Sequence, residues 1–583
     1  MRLHTFVSRS QWLSRKQFLS RNAVFFSKER AGGLSFAAFS ALAVLIFSFC
    51  SARADDKPNA KQPAKHAPKQ DPDTQPSFHT SDRCLACHNG LTTPSGKDIS
   101  IGVDWRGSIM ANSSRDPYWQ ASVRREGIDH PESKAAIEDV CSSCHMPIAR
   151  YGAKLQGQLG SVFAHLPFDD DPKKNAGAQD GVSCSVCHQI AKEKLGTRET
   201  FTGQFIIATP QSKDDHPEFG PFPIEPGQTR IMQTSTGGFR PTQEAHIRDS
   251  ALCASCHTLY TKALAPDGKE LGLFPEQVPF LEWQHSDYAN KTSCQSCHMP
   301  EVQEPAPITA VLGVPRQGVR QHTFIGANFF MLNLLNLHRN DLSVAAMPAE
   351  LTAEAQRTED FLRTQTARLT IRNINADSSN INVDVFVENL TGHKFPTAYP
   401  SRRAWLHLTI RDHNGNKVFE SGAFNPDGSI QGNRNDADPT RFEPHYTKIT
   451  SSDQVQIYEP ILKDHAGNVT TGLSFAVGYL KDNRLLPAGF DKQSAEKDIA
   501  VAGEAADDPN FTAAGSLVQY SVPISNAQGP FQIEAELWYQ PIGFRWAHNL
   551  APYDSTETKR FVGYYTRNPA ASALVVAHAS ATH

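Results

Sequence analysis

The chain has 583 residues with 39% hydrophobic and 20% charged content and a net charge of −4. That length is too great for one domain, and the composition suits globular structure and excludes a coil or a repeat array, so two or three folded units are expected.

Residues 1–54 read as an export signal peptide. Arg2, Arg9, Arg15, Lys16, Arg21, Lys28 and Arg30 lead into the apolar run LSFAAFSALAVLIFSF, and Ala52-Arg53-Ala54 sets a cut before Asp55. The alternative is an uncleaved anchor, since counted from Ala31 the run approaches the roughly 20 residues that span a bilayer. Cys50 follows the bulky Phe49, where a lipid-modified cysteine wants a small neighbour, and SRKQFLSR has Arg15-Lys16 where a twin-arginine signal has two arginines. Both belong to the ordinary leader. Removing the leader, with its eight basic residues and one acid, takes the net charge from −4 to −11. A surface of that sign argues against nucleic acid as a partner and favours basic patches on redox partner proteins.

Residues 55–76, with Pro58, Pro63, Pro68, Pro72 and Pro76 among Lys, Ala, Gln and Asp, form a semi-extended disordered linker. Residues 77–347 are rich in Gly, Pro and polar turns and have few aliphatic runs, with short helical patterns in SRDPYWQASVRREG and ANFFMLNLLNLHRN. Residues 348–366, PAELTAEAQRTEDFLRTQT, predict a connecting helix. From residue 367 the period changes to two in INVDVFVEN, AWLHLTIRD, DQVQIYEPIL, SLVQYSVPI and FQIEAELWYQ, which predicts an antiparallel β-sandwich over 367–567. Residues 568–583 look like a flexible tail. The expected fold is therefore multidomain: a mainly α and loop region followed by an antiparallel β-sandwich.

Within 77–347 the pattern Cys-x-x-Cys-His occurs five times, as CLACH, CSSCH, CSVCH, CASCH and CQSCH. The cysteine pairs are Cys84 and Cys87, Cys141 and Cys144, Cys184 and Cys187, Cys253 and Cys256, and Cys294 and Cys297; the histidines that follow are His88, His145, His188, His257 and His298. Two thiols one helical turn apart can add to the two vinyl groups of a haem while the adjacent imidazole ligates its iron, so five covalently attached haems c are expected. Zinc would use the pairs in twos and would not demand a histidine at the same offset each time. Disulfides would leave the histidines unexplained. Of eleven cysteines, Cys50 lies in the leader and the motifs use all the others.

A second axial ligand makes an iron six-coordinate and restricts it to electron exchange, whereas an open iron can bind a substrate. Four histidines near the motifs are the distal candidates: His79, His246, His285 and His322. A fifth is less defined among His130, His165, His216, His338 and Met110. His393, between Gly392 and Pro396, reads more as a turn residue than as a ligand. Met146 and Met299 each directly follow a motif histidine, which counts against them. No phosphate loop, Ser-His-Asp order or zinc-protease helix is present. Asn389-Leu390-Thr391 matches a glycosylation acceptor, and DHNGNK and NRNDADPT are oxygen-rich strings that read as turns before they read as calcium loops.

With these segments in place, residues 77–335 resemble the multihaem c-type cytochromes, the superfamily of cytochrome c-554-like proteins and pentahaem nitrite reductase. WRGSIMANSSRDPYW, CSSCHMP, GVSCSVCHQI, FPEQVPFLEW, CQSCHMP and QHTF carry the resemblance. GHKFPTAYPSRRAWL, VQIYEP and YLKDNRLLPAGFD are similar to a β-rich domain found C-terminal to such regions. The resemblance implies close-packed bis-histidine haems attached after export. In pentahaem nitrite reductase the catalytic haem is held by Cys-x-x-Cys-Lys, a motif this sequence lacks. The expectation is an electron carrier of the bacterial periplasm or cell surface, which meets a membrane only through an uncleaved leader if at all. The alternatives are a reductase or oxidase of a small nitrogen or sulfur oxyanion at one open haem, and a subunit of a larger complex.

Overall fold

The computed structural model describes residues 77–168, 174–525 and 527–583. The signal peptide and the 55–76 linker lie outside the described residues. All the described residues belong to one compact unit, Lys69–His583. Among them no helix is long and apolar enough to cross a membrane.

The first half is built from short helices joined by turns. Every Cys-x-x-Cys-His motif meets one of them: Ser81–Leu85, Lys134–His145, Cys184–Cys187, Ser250–Ala254 and Cys294–His298. The helix Pro117–Asp129 starts where Asp116 accepts from the backbone N–H of Tyr118 and Trp119 at 2.8 and 3.0 Å, with Pro117 in the first turn, where its missing N–H costs nothing. Two small ribbons interrupt the helices: a parallel pair, His216–Gly220 with Phe239–Gln243, and an antiparallel pair, Leu259–Leu264 with Glu270–Gln277. The helix Phe329–Leu337 is buried nearly all round and packs on Pro348–Gln365, the helix expected over 348–366.

The second half holds two five-stranded sheets. One runs Phe511–Thr512, Gly515–Pro523, Asn380–Asn389, Ala367–Ala376, with Lys448–Ile449 parallel beside Gly515–Pro523. The other runs Ile457–Tyr458, Arg403–Arg411, Gln532–Gln540, Leu574–Thr582, with Lys417–Ser421 beside Arg403–Arg411. The period-two pattern produces this packing. Ile381, Val383, Val385 and Val387 of one sheet and Leu406, Leu408, Ile410 and Leu537 of the other belong to a single apolar cluster and are almost wholly buried. Each such side chain contributes about 1.5–3 kcal/mol on burial.

Two expectations change here. The tail expected over 568–583 contains the strand Leu574–Thr582, paired antiparallel with Gln532–Gln540. Its alternation uses mostly small residues, too weak a contrast to read as a strand without the partner edge. The sandwich region also does not stand apart from the first half. Its helix Thr556–Tyr565 packs on Pro117–Asp129, with Glu557 bound by Arg124 at 2.8 Å.

The oxygen-rich strings are engaged locally. Asp412 accepts from the N–H of Asn414 and Asn416, and Asp464 does the same for Ala466 and Asn468, each closing a hairpin turn. Asp436 is paired with Arg403 at 2.7 Å, both buried. Asn389 is buried and its side-chain amide donates to the carbonyls of His393 and Leu485, so it is not presented as a glycan acceptor.

On the sheet face, His407 lies opposite Glu536 and contacts Glu420, at 2.9 and 3.3 Å. Burial pushes its pKa down, but the two carboxylates outweigh burial and raise it above the ordinary value. A raised histidine stabilises fully below its unfolded pKa, and the effect is lost as pH rises through the folded one. His407→Gln is therefore expected to lower the melting temperature by a few degrees at pH 5.5 and by less at pH 9; equal losses at both would show that the charge is idle.

Candidate functional site

Four of the five motif imidazoles are fixed in the same way. Nδ1–H donates to a backbone carbonyl from a distant segment: His88 to Ile308 at 2.6 Å, His145 to Ser113 at 2.9 Å, His188 to Phe219 at 2.6 Å and His298 to Ile325 at 2.5 Å. This bond fixes the tautomer and leaves Nε2 with its lone pair. His257 differs: among the described residues nothing hydrogen-bonds its ring. Burial holds His145 and His257 down at about 4, so both rings are neutral at pH 7. Trp119 stacks face to face on His145 at 4.3 Å.

The motifs adjoin one another. The thiols of Cys84 and Cys184 are in contact, as are those of Cys144 and Cys256 and of Cys253 and Cys294. Cys187 lies near enough to act on both Cys253 and Cys256. The fourth motif thus touches the second and fifth and neighbours the third, while the first reaches the group through the third. One backbone device serves twice. Ser81, three residues before Cys84, accepts from the N–H of Cys184 at 3.2 Å; Ser250, three residues before Cys253, accepts from the N–H of Cys294 at 3.0 Å.

Two imidazoles face motif histidines across a short gap. His322 lies 6.4 Å from His188, ring centre to ring centre, with 19° between planes; His393 lies 6.3 Å from His298 with 11°. Two imidazoles sharing one iron, each nitrogen about 2 Å from the metal, have ring centres about 6 Å apart. Both facing rings donate through Nδ1, His322 to the carbonyl of Arg320 at 3.1 Å and His393 to that of Lys394 at 2.9 Å, so Nε2 is again unengaged. Burial pushes His322 down to about 3 and His393 to about 4.

The other expected ligands are held differently. His79, His246 and His285 donate through Nε2 to the carbonyls of Thr236, Ile190 and Asp491 at 2.8, 2.8 and 3.0 Å. Their rings rest on Phe239, Phe219 and Phe490. Of the three, His246 keeps a buried Nδ1 without a partner. His165 contacts Asn175; His216 donates to the Lys213 carbonyl and keeps a buried Nδ1 without a hydrogen-bond partner; His338 stacks on Tyr564 at 3.5 Å and, like His130, keeps a buried Nε2 without one. His393 is both the turn residue the sequence suggests and the ring opposite His298.

Sequence reasoning missed a group of buried acids and phenols beside the second motif. Glu276, hydrogen-bonded by Thr261, is pushed up to about 7 by burial and lies close to Cys141. Tyr118 and Tyr399 meet edge to face at 5.7 Å, and Tyr399 lies near Glu276. Each sits in a segment the sequence marks, Tyr118 in SRDPYW, Glu276 in FPEQVPFLEW and Tyr399 in GHKFPTAYPSRRAWL, but nothing in those letters brings the three together.

Unpaired polar atoms bear on how these residues fit haem. Several buried side-chain atoms without a hydrogen-bond partner lie at the motifs, and others, such as Asn433, Tyr520 and Tyr539, lie far from them: Asn89, Gln189 and Thr258 each directly follow a motif histidine, Ser255 and Gln295 lie inside motifs, and Thr323 follows His322. Buried polar atoms are rarely left unpaired, so these mark places built to meet another polar group.

No protein-family profile and no curated protein matches the chain. Among solved structures, the chain is similar to a penta-haem cytochrome c552 from Thermochromatium tepidum, at 16% identity over 87% of this chain and 99% of that one, with a TM-score of 0.47.

Proposed function

We infer that the chain is an exported five-haem c-type cytochrome that carries electrons to a partner protein in the periplasm or at the cell surface of a bacterium. The observation that carries this reading is the repeated Nδ1–H to carbonyl bond, which prepares four motif imidazoles as neutral Nε2 ligands. The motifs fit haem c in donor set. Bound there, haem would supply reversible one-electron iron chemistry.

The chain's own part is positional. Cys84, Cys87, Cys141, Cys144, Cys184, Cys187, Cys253, Cys256, Cys294 and Cys297 offer the thiols, and His88, His145, His188, His257 and His298 the proximal nitrogens. His322, facing His188 at 6.4 Å, would be the second ligand of an iron held there. Ser81 and Ser250 lock neighbouring motifs together, which keeps any electron step short.

The test is the haem count and spin state of the protein exported from a host that attaches haem c. Five haems per chain by the alkaline pyridine spectrum, with mainly low-spin iron by electron paramagnetic resonance, are expected. A predominantly high-spin spectrum would sink the carrier reading.

A second reading, reduction of a small nitrogen or sulfur oxyanion, is favoured by one observation: burial raises Glu276 to about 7 beside the second motif, in the range of a proton donor at neutral pH, with Tyr399 near it and Tyr118 against Tyr399. A high-spin signal that shifts with nitrite, hydroxylamine or sulfite would support it, and silence towards all three would exclude it.

A further inference from the structure

The ring that faces the fifth motif comes from the β-rich half of the chain. His393 lies in the connection between Asn380–Asn389 and Arg403–Arg411, and an unusual set of contacts fixes it. Its carbonyl accepts from the Asn389 amide and the Thr391 hydroxyl, both at 2.8 Å, while its Nδ1–H donates to the Lys394 carbonyl. Gly392 lies against Tyr288 and Trp283; a Cβ there would stand 3.2 Å from the Tyr288 ring. Tyr288 donates to the Leu390 carbonyl at 2.9 Å, and Trp283 to that of Thr292, two residues before Cys294. The loop that carries His393 and the segment that leads into the fifth motif are therefore tied together on both sides.

Behind the loop sits a wholly buried ion cluster. Glu282, on the helix Pro279–Gln284 of the first half, accepts from the Lys394 backbone N–H at 3.2 Å and from the Thr397 hydroxyl at 2.5 Å, and pairs with Arg484 at 2.9 Å. Asp482 pairs with the Lys394 ammonium at 2.7 Å and with Arg484 at 2.8 Å. Burying two carboxylates and two cations costs desolvation energy that apolar residues of the same volume would avoid. Such a cluster does, however, hold geometry: a displacement of Lys394 breaks charge-assisted bonds in a low-dielectric interior. Lys394 is the residue next to His393.

We propose that the β-rich half supplies the sixth ligand of the iron at the fifth motif, His393, and that the buried cluster of Glu282, Lys394, Asp482 and Arg484 holds it in place. The proposal rests on the five-haem reading and goes beyond it by making the second half of the chain part of a metal site. His393 is the ligand, and Glu282 is a positioning residue that acts through Lys394 and Thr397.

The experiment uses the full holoprotein and counts haem first, so that a wild-type count other than five counts against the haem reading and not against this one. With five haems attached, His393→Gly is expected to move one iron's share of the low-spin signal to high spin, and added imidazole to return it. Glu282→Ala is expected to move part of the same share, while Glu282→Gln, which keeps a hydrogen-bond acceptor, retains the low-spin signal. If His393→Gly kept five haems and an unchanged spin state, the ligand would be wrong. If Glu282→Ala melted earlier with every iron still low-spin, the cluster would be structural only. Should His393→Gly fail to fold, His393→Met decides the matter by the appearance of a methionine-ligated spectrum at one iron; its absence in a folded chain with five haems overturns the assignment.

Discussion

Replacing Cys253 and Cys256 with alanine is expected to give a chain with four covalent haems whose internal electron exchange is broken into pieces. The fourth motif touches the second through Cys144 and Cys256 and the fifth through Cys253 and Cys294, and has Cys187 of the third beside it. Removing it takes away the shared neighbour of three others. The matching change at Cys84 and Cys87 is expected to remove an end, because the thiol contact found for Cys84 is with Cys184 of the third motif. After a reducing pulse, equilibration among the remaining haems should slow by at least about tenfold in the fourth-motif variant, equivalent to about 1.4 kcal/mol on the barrier. The first-motif variant should keep the wild-type rate. Equal rates in the two variants would show that the fourth motif is not a junction.

Asp482→Ala should be among the most destabilising single substitutions in the β-rich half. Asp482 is the shared carboxylate of Lys394 and Arg484, and all three are buried. Burial alone would raise its pKa, but Arg484 and Lys394 outweigh burial and hold it far below the usual carboxylate range. A depressed carboxylate stabilises above its unfolded pKa of about 4 and loses that contribution only as pH falls through the folded value. Truncation leaves two buried cations with Glu282 as their remaining nearby anion, a loss of about 3–5 kcal/mol. The urea midpoint at pH 7 measures it, and a shift within experimental error would mean that the cluster relaxes into water.

The features legible in the sequence are those written at short range. Five repeats of one spacing announce the motifs, and Ile381, Val383, Val385 and Val387 alternate so regularly that their strand could be drawn from the letters alone. The helix after Met347 is equally plain, with Pro348 and Glu350 in its first turn. What stayed hidden depends on contacts between distant segments. His393 carries no local sign of facing His298, because its partner precedes it by a whole folded region. Nearness in sequence to a motif favoured His79, His246 and His285, yet each of these turns Nε2 to a carbonyl. The carbonyls of Ile308, Ser113, Phe219 and Ile325 that orient the motif rings are backbone atoms, which no composition can reveal. Glu282 and Asp482 look like ordinary surface acids until the fold buries them together.

The position of His393 also bears on how the protein is made. A chain that emerges N-terminus first presents all ten motif thiols before Gly392, His393 and Lys394 follow. While the second half is unfolded, Cys294 and Cys297 stand open to whatever enzyme attaches the cofactor. Once Tyr288 and Trp283 have closed on Gly392, and Glu282 on Lys394, the His393 side is fixed, while Cys297 stays exposed in the folded chain. On the proposed five-haem reading, the β-rich half therefore completes the fifth site from one side only, and attachment of the last haem through Cys297 does not have to precede its folding.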